Sequence, residues 1–429
     1  MTKAGEFASR VVSSLRQSDF TSGAVLLSFG LLAIVVANSS FGPAVQAVLT
    51  STPAFTVPYL GMPLTVQQLV NEGLMALFFL SVGLEMKREM LYGHLATVRK
   101  ALLPVVAALG GMLGPALTYL LFNPDLPNRN GWAIPTATDI AFSLAVAALA
   151  GPGFTPSMRA FLLTLAVADD VGGVLEVAVF YHTSINALWL LAALGLSLGV
   201  YFAAKRWQPA DWVFLVAGCI VWYSLLHAGI HPALAGILIA LTVPLWPVGN
   251  PLSALDHDGE PENPLAYPVP ESRSSLGRLE HALSGVVAYV VLPLFAFANL
   301  GVRFDMLAGA SLGDLRVMFG IAAALVVGVP VGVTVSTWIG VRMGLGELPQ
   351  GVLWRDIAGV GVIAGVAFSV ALLIASAAFS EKQLVSQAQC GILLGSCISA
   401  SVGICYFRIV RRPGSRHLST SDLTPPAST

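Results

Sequence analysis

Thr164-Leu165-Ala166-Val167-Ala168-Asp169-Asp170-Val171-Gly172-Gly173-Val174-Leu175 sets two adjacent carboxylates inside an apolar run from about Met158 to Phe180. A run of roughly 20 apolar residues is long enough to cross a bilayer as a helix. A charged Asp at bilayer depth costs at least ~2.5–3.5 kcal/mol. No Lys or Arg lies between Arg159 and Lys205 to offset the pair locally. Such acids need a bound cation, a proton or a partner from another helix.

The rest of the chain suits a membrane. It has 429 residues, 56% hydrophobic and only 10% charged, with mean hydropathy +0.78. Soluble domains carry about 25% charged residues. Apolar windows fall at 23–40, 66–86, 101–122, 132–150, 158–181, 187–204, 211–227, 231–247, 282–302, 317–341, 356–379 and 387–408. They predict an all-α polytopic membrane protein of about 12 spans. The net charge of −1 shows no basic face for nucleic acid. Cys219, Cys390, Cys397 and Cys405 all lie in apolar segments, with no CxxC pair, and read as buried free thiols. Lys3, Arg10 and Arg16 before the run 23–37 resemble a signal peptide. A long first run followed by many more favours an uncleaved span.

Basic residues orient the spans. A cytoplasmic N-terminus places 18 of the 22 Lys and Arg inside, leaving Arg129, Arg303, Arg316 and Lys382 outside. Both termini are then expected in the cytoplasm. The expected organisation is a cytoplasmic N-terminus (1–20), one transmembrane domain (21–410) and a disordered cytoplasmic tail (411–429). Within the domain, 46–64 reads as an external hairpin-like segment. Residues 247–277 read as an acidic, Pro-rich cytoplasmic loop.

Gly and Pro interrupt two apolar segments in corresponding halves of the chain. They are Trp132-Ala-Ile-Pro135-Thr-Ala-Thr138-Asp139 and Gly359-Val-Gly361-Val-Ile-Ala-Gly365. Interrupted segments in matching positions point to discontinuous helices and a midplane site. Asp139 can offset a half-helix N-terminus there, and can also shape the field at Asp169 and Asp170. Hard monovalent cations want oxygen ligands. Burial favours the protonated acid, whereas a bound cation favours the carboxylate. A proton and a cation therefore compete for one site, which is antiport in its simplest form. Glu176 is two helical turns beyond Asp169 and is either a further proton carrier or a funnel-lining residue. Glu85-Met86-Lys87-Arg88-Glu89 reads most simply as a solvated helix end; with Glu280 and His281 it also suits a pH-responsive mouth.

These stretches resemble the NhaA family of Na⁺/H⁺ antiporters over about residues 20–410. The matching motifs are Leu74 to Glu89, Gly131-Trp-Ala-Ile-Pro-Thr-Ala-Thr-Asp139-Ile-Ala-Phe, Ala168-Asp169-Asp170, Gly229-Ile-His231-Pro-Ala-Leu-Ala-Gly, Arg278-Leu-Glu280-His281 and Leu292-Pro-Leu-Phe-Ala-Phe-Ala-Asn299. That family is itself a standing example of the interrupted-helix pattern, so pattern and resemblance are not independent. The resemblance implies inverted repeats, two discontinuous helices crossing near the midplane, and exchange of cytoplasmic Na⁺ or Li⁺ for external H⁺ across the bacterial inner membrane. It implies no cofactor, since these ions are substrates. Asp170 matches the main cation and proton carboxylate, and Asp169 its partner and gate. The pair would thus hold the metal ion Na⁺, with Asp139 and Thr138 at the crossing. Glu85, Glu89, Glu280 and His231 match pH-sensing positions, and 46–64 matches a dimerisation hairpin.

The chain departs from the family pattern in three places. Gly328-Val329-Pro330 stands where Gly-Lys-Pro is typical, so Asp169 lacks its expected cationic partner. Glu176 replaces an aliphatic residue, and the 247–277 loop is longer and more acidic. Altered coupling and a shifted pH profile are therefore expected. Sodium-coupled solute symport is the nearest rival. An intramembrane aspartyl protease is disfavoured, because Val167-Ala168 precedes Asp169 where Gly-x-Gly would stand.

Overall fold

A computed structural model describes residues 21–51, 64–92, 98–181, 185–207, 209–244, 274–303, 314–349 and 351–409. All regular structure among the described residues is helical. Lipid explains this: a spanning backbone without water must satisfy its N–H and C=O groups within its own segment. The helices are α1 (Thr21–Ala37), α2 (Gly42–Thr50), α3 (Val66–Met90), α4 (Val98–Phe122), α5 (Ile140–Ala150), α6 (Pro156–Phe180) and α7 (Ala187–Trp207). They continue with α8 (Asp211–Ala228), α9 (Ala235–Thr242), α10 (Ser275–Asn299), α11 (Arg316–Arg342), α12 (Trp354–Ala364), α13 (Ser369–Ala378) and α14 (Lys382–Ile409).

Seven of these are long and apolar enough to cross a membrane, and nine if α1–α2 and α12–α13, bent by 110° and 57°, each count as one span. Three of the twelve predicted windows fall outside that count. They are a 3₁₀ segment (Asn128–Thr136) with α5, the acid-bearing α6, and the short α9. On α6 it is the charge of the Asp pair and its neighbours that breaks the apolar run, not its length of 25 residues.

Two expectations on the loops change. Residues 46–50 are helical, in α2, where Pro43 in the first turn favours a helix start; 52–63 lie outside the described residues. At the acidic loop, 245–273 lie outside them too. Ser274 caps α10 through Gly277 N at 2.9 Å, so residues 275–277 are helical. The N-terminal 1–20 and the tail from 410 are likewise not described.

Helices α4 and α11 pack backbone to backbone. A Cβ at Gly332 would lie 2.0 Å from the Gly110 carbonyl oxygen, and one at Gly114 would lie 2.3 Å from that of Gly328. Small residues permit this approach, which dispersion and lipid exclusion reward in a bilayer. Two π-helical turns, Val287–Val291 in α10 and Ala324–Gly328 in α11, each precede a proline (Pro293, Pro330). A proline leaves the carbonyl four residues back without its donor, and the wider turn absorbs the misfit. Large apolar side chains such as Leu121 and Leu188 point outward, 83% and 76% exposed, as a lipid-facing surface requires.

Candidate functional site

The two interrupted segments meet. The 3₁₀ segment ends at Thr136, Ala137 is extended (φ −89°, ψ 125°), and α5 begins after Asp139. In the other half α12 ends at Ala364 and α13 begins at Ser369. Asp139 N donates to the Val366 carbonyl at 3.0 Å. The Asp139 carboxylate accepts from Phe142 N at 3.2 Å, capping α5. It also accepts from Ser369 N at 3.2 Å and from the Ser369 hydroxyl, at the start of α13. One carboxylate thus serves two helix N-termini, whose partial positive charges favour an anion. Ser143 Oγ adds a bond to the Ile363 carbonyl at 3.2 Å.

Helix α6 packs against this crossing. Asp169 Oδ2 accepts from Thr138 N at 3.0 Å and from Thr138 Oγ1 at 2.6 Å. Thr136 Oγ1 lies 2.5 Å from Glu176 Oε2. Between these contacts a Cβ at Gly173 would lie 3.4 Å from Ala137 and 3.6 Å from Val370, so α6 touches both broken segments there. The bare Gly surface lets the helix come this close.

Asp170 differs from its neighbour. It is 7% exposed, yet its carboxylate makes no hydrogen bond among the described residues. Neither Asp is ion-paired to a Lys or Arg among them. Val329 is buried in the core, between the π-helical turn and Pro330. No group of three or more His, Cys, Asp or Glu among the described residues is placed to hold a metal ion.

The structure brings Thr138, Asp139, Asp169, Asp170 and Glu176 to one crossing. The other candidates lie elsewhere. Glu280 on α10 pairs with Arg88 on α3 at 3.2 Å, on the helix that carries Glu85 and Glu89. Lys87, from the same cluster, donates to the carbonyls of Leu241 at 2.7 Å and Val243 at 2.6 Å. It caps the C-terminal end of α9, where a cation is favoured. Arg408 likewise donates to the Leu149 carbonyl at 3.0 Å, near the end of α5. His231 lies in the turn between α8 and α9, its Nδ1 buried with no hydrogen-bond partner among the described residues. His227 stacks on Trp189 at 4.9 Å.

Sequence reading missed Ser369 and Val366, and gave Thr136, beside Asp139, no role of its own. Ser369 carried a usable signal: a Ser opening an apolar run just after a glycine break is a helix-start pattern. Val366 acts only through its carbonyl, which no side-chain pattern reveals.

The family model for Na⁺/H⁺ antiporter 1 matches residues 13–407. The chain is 39% identical over 414 residues to the Na⁺/H⁺ antiporter NhaA 2 of Sorangium cellulosum, covering 91% of this chain and 88% of that one. It is 40% identical over 395 residues to the Na⁺/H⁺ antiporter NhaA of Rhizobium etli (91% and 94% covered). It is 39% identical over 415 residues to the antiporter of that name from Rhodospirillum rubrum (94% and 98% covered).

Proposed function

The chain belongs to the Na⁺/H⁺ antiporter 1 family of integral membrane transporters and exchanges Na⁺ for H⁺, and we propose that Asp170 is the group for which the two ions compete. The carrying observation is the contrast within the pair. Asp169 is held by two donors from Thr138, whereas Asp170, 7% exposed, accepts none among the described residues. An uncompensated carboxylate in a low-dielectric site is costly and is neutralised by whichever cation reaches it. Na⁺ or a proton satisfies it, but not both together. Release of one ion is therefore the condition for binding the other, and no cofactor enters the cycle.

In this reading Asp169 orients the site through Thr138, and Asp139 holds the crossing together. Helix breaks supply the remaining oxygen ligands, since freed carbonyls there are not committed to a helix. Li⁺, a smaller hard cation, uses the same oxygen set. The Lys and Arg asymmetry of the sequence supports cytoplasmic termini, and in this reading the chain sits in a bacterial inner membrane, cytoplasmic Na⁺ leaving as external H⁺ enters. Glu85, Glu89, Glu280 and His231 adjust activity to pH, and copies pair through 46–64.

Dissipation of a preformed ΔpH by Na⁺ in everted vesicles tests the site. Asp170→Asn should abolish the Na⁺ response. Exchange equal to the wild type would remove Asp170 from the mechanism.

A further inference from the structure

Thr136 Oγ1 lies 2.8 Å from the Ala133 carbonyl oxygen and 2.5 Å from Glu176 Oε2. A threonine hydroxyl owns one proton. The carbonyl can only accept, so the hydroxyl proton satisfies it and the second contact then needs a proton from the acid. Both contacts are made together when Glu176 is the neutral acid and donates to Thr136. When Glu176 is ionised, the Thr136 hydroxyl turns to the carboxylate and Ala133 loses that partner. Thr136 and Ala133 are fully buried and Glu176 is 8% exposed, so water is a poor substitute.

The position matters for transport. Glu176 is seven residues beyond Asp169, about 10 Å along α6 toward its outer end. That end is clasped to the 3₁₀ segment. Tyr181 donates to the Asn130 carbonyl at 2.8 Å, and Trp132 and Phe180 pack edge to face at 5.1 Å. The elements packed on α6 carry Tyr119 on α4, which donates to the Asn128 carbonyl of the 3₁₀ segment, and Asp139 at the start of α5. Among the described residues, Thr136 is the hydrogen-bond partner of the Glu176 carboxyl. Thr136 is two residues from Thr138, which holds Asp169. Tightening or loosening the last 3₁₀ turn therefore acts on the donor that positions the Asp pair.

We infer that Glu176 carries an exchangeable proton of the transport cycle, and that the Thr136 hydroxyl couples its presence to the Thr138–Asp169 contact. The proton comes from external water onto Glu176 Oε2 and returns to water when the site opens inward. The carboxyl alternates between neutral and singly negative, adding one H⁺ to each turnover.

Glu176→Gln tests this, because its amide still donates to Thr136 but never ionises. Reversal potentials in proteoliposomes should show one H⁺ fewer per Na⁺ than in the wild type; an unchanged ratio overturns the inference. If that variant does not fold, infrared difference spectra between acid and alkaline pH decide. The wild type should show a titrating carbonyl band of a protonated carboxyl, shifted by Thr136→Val and restored by Thr136→Ser. No band that responds to Thr136 overturns the inference equally. The inference rests on the Asp170 reading, and Asp170→Asn in the same proteoliposomes separates the two. Exchange by Asp170→Asn refutes that reading, whereas an unchanged ratio in Glu176→Gln beside a silent Asp170→Asn refutes only the role of Glu176.

Discussion

Ser369 donates both its backbone N–H and its hydroxyl to the carboxylate of Asp139, joining residues 230 positions apart at the crossing of the two broken segments. The same carboxylate caps α5. Each half of the chain therefore leans on one side chain for the start of a half-helix.

Asp139→Ala should destabilise the fold more than Ser369→Ala does. Loss of a capping side chain costs about 0.5–2 kcal/mol, and Asp139→Ala removes acceptors for two helix starts. Ser369→Ala leaves its own N–H bonded and the α5 cap intact. Thermal melting in detergent reads the order, and equal losses would show that only one cap matters. Asp139→Asn, which keeps one acceptor oxygen, should fall between them.

Thr138→Val removes one of the two donors to Asp169 while leaving the backbone N–H in place. A hydrogen bond to a charged group is worth about 1.5–3 kcal/mol. The KM for Na⁺ should rise roughly tenfold or more, with folding retained. A KM within twofold of wild type would mean that the backbone donor alone sets Asp169.

Val329→Lys tests whether the missing base can be restored. Val329 is 1% exposed, and an unpaired buried ammonium costs several kcal/mol. If the new lysine reaches Asp169, the single variant should melt above the double variant Val329→Lys with Asp169→Asn. Equal melting temperatures would place the lysine elsewhere.

Gly332→Ala should destabilise by about 1–3 kcal/mol, because its Cβ would meet the Gly110 backbone and neither helix can yield. Gly195→Ala on α7 meets nothing within 4 Å and should be neutral or stabilising by up to about 1 kcal/mol. The two melts compared side by side isolate helix contact from helix propensity.

Much of the architecture was legible in the chain. Apolar windows located the helices, because lipid rewards any long uncharged run whatever its neighbours. Pro135 and Gly365 marked both breaks, since backbone constraint is local. The Asp pair stood out because nothing within reach along the chain offsets it. Residues 46–50 misled: β-branched side chains suggested strand, but Gly42-Pro43 starts a helix whose outer face tolerates them.

The sequence by itself determined the class, the apolar windows and which acids fall inside them. Each follows from composition and near neighbours. Only the tertiary structure decided which acid is held and which is free. Asp169 and Asp170 are chemically identical and adjacent, yet a helix turns about 100° per residue. That rotation aims Asp169 at Thr138, 31 positions back, and leaves Asp170 without a donor among the described residues. The partner of a buried polar group is chosen by packing between distant segments, which no local pattern encodes.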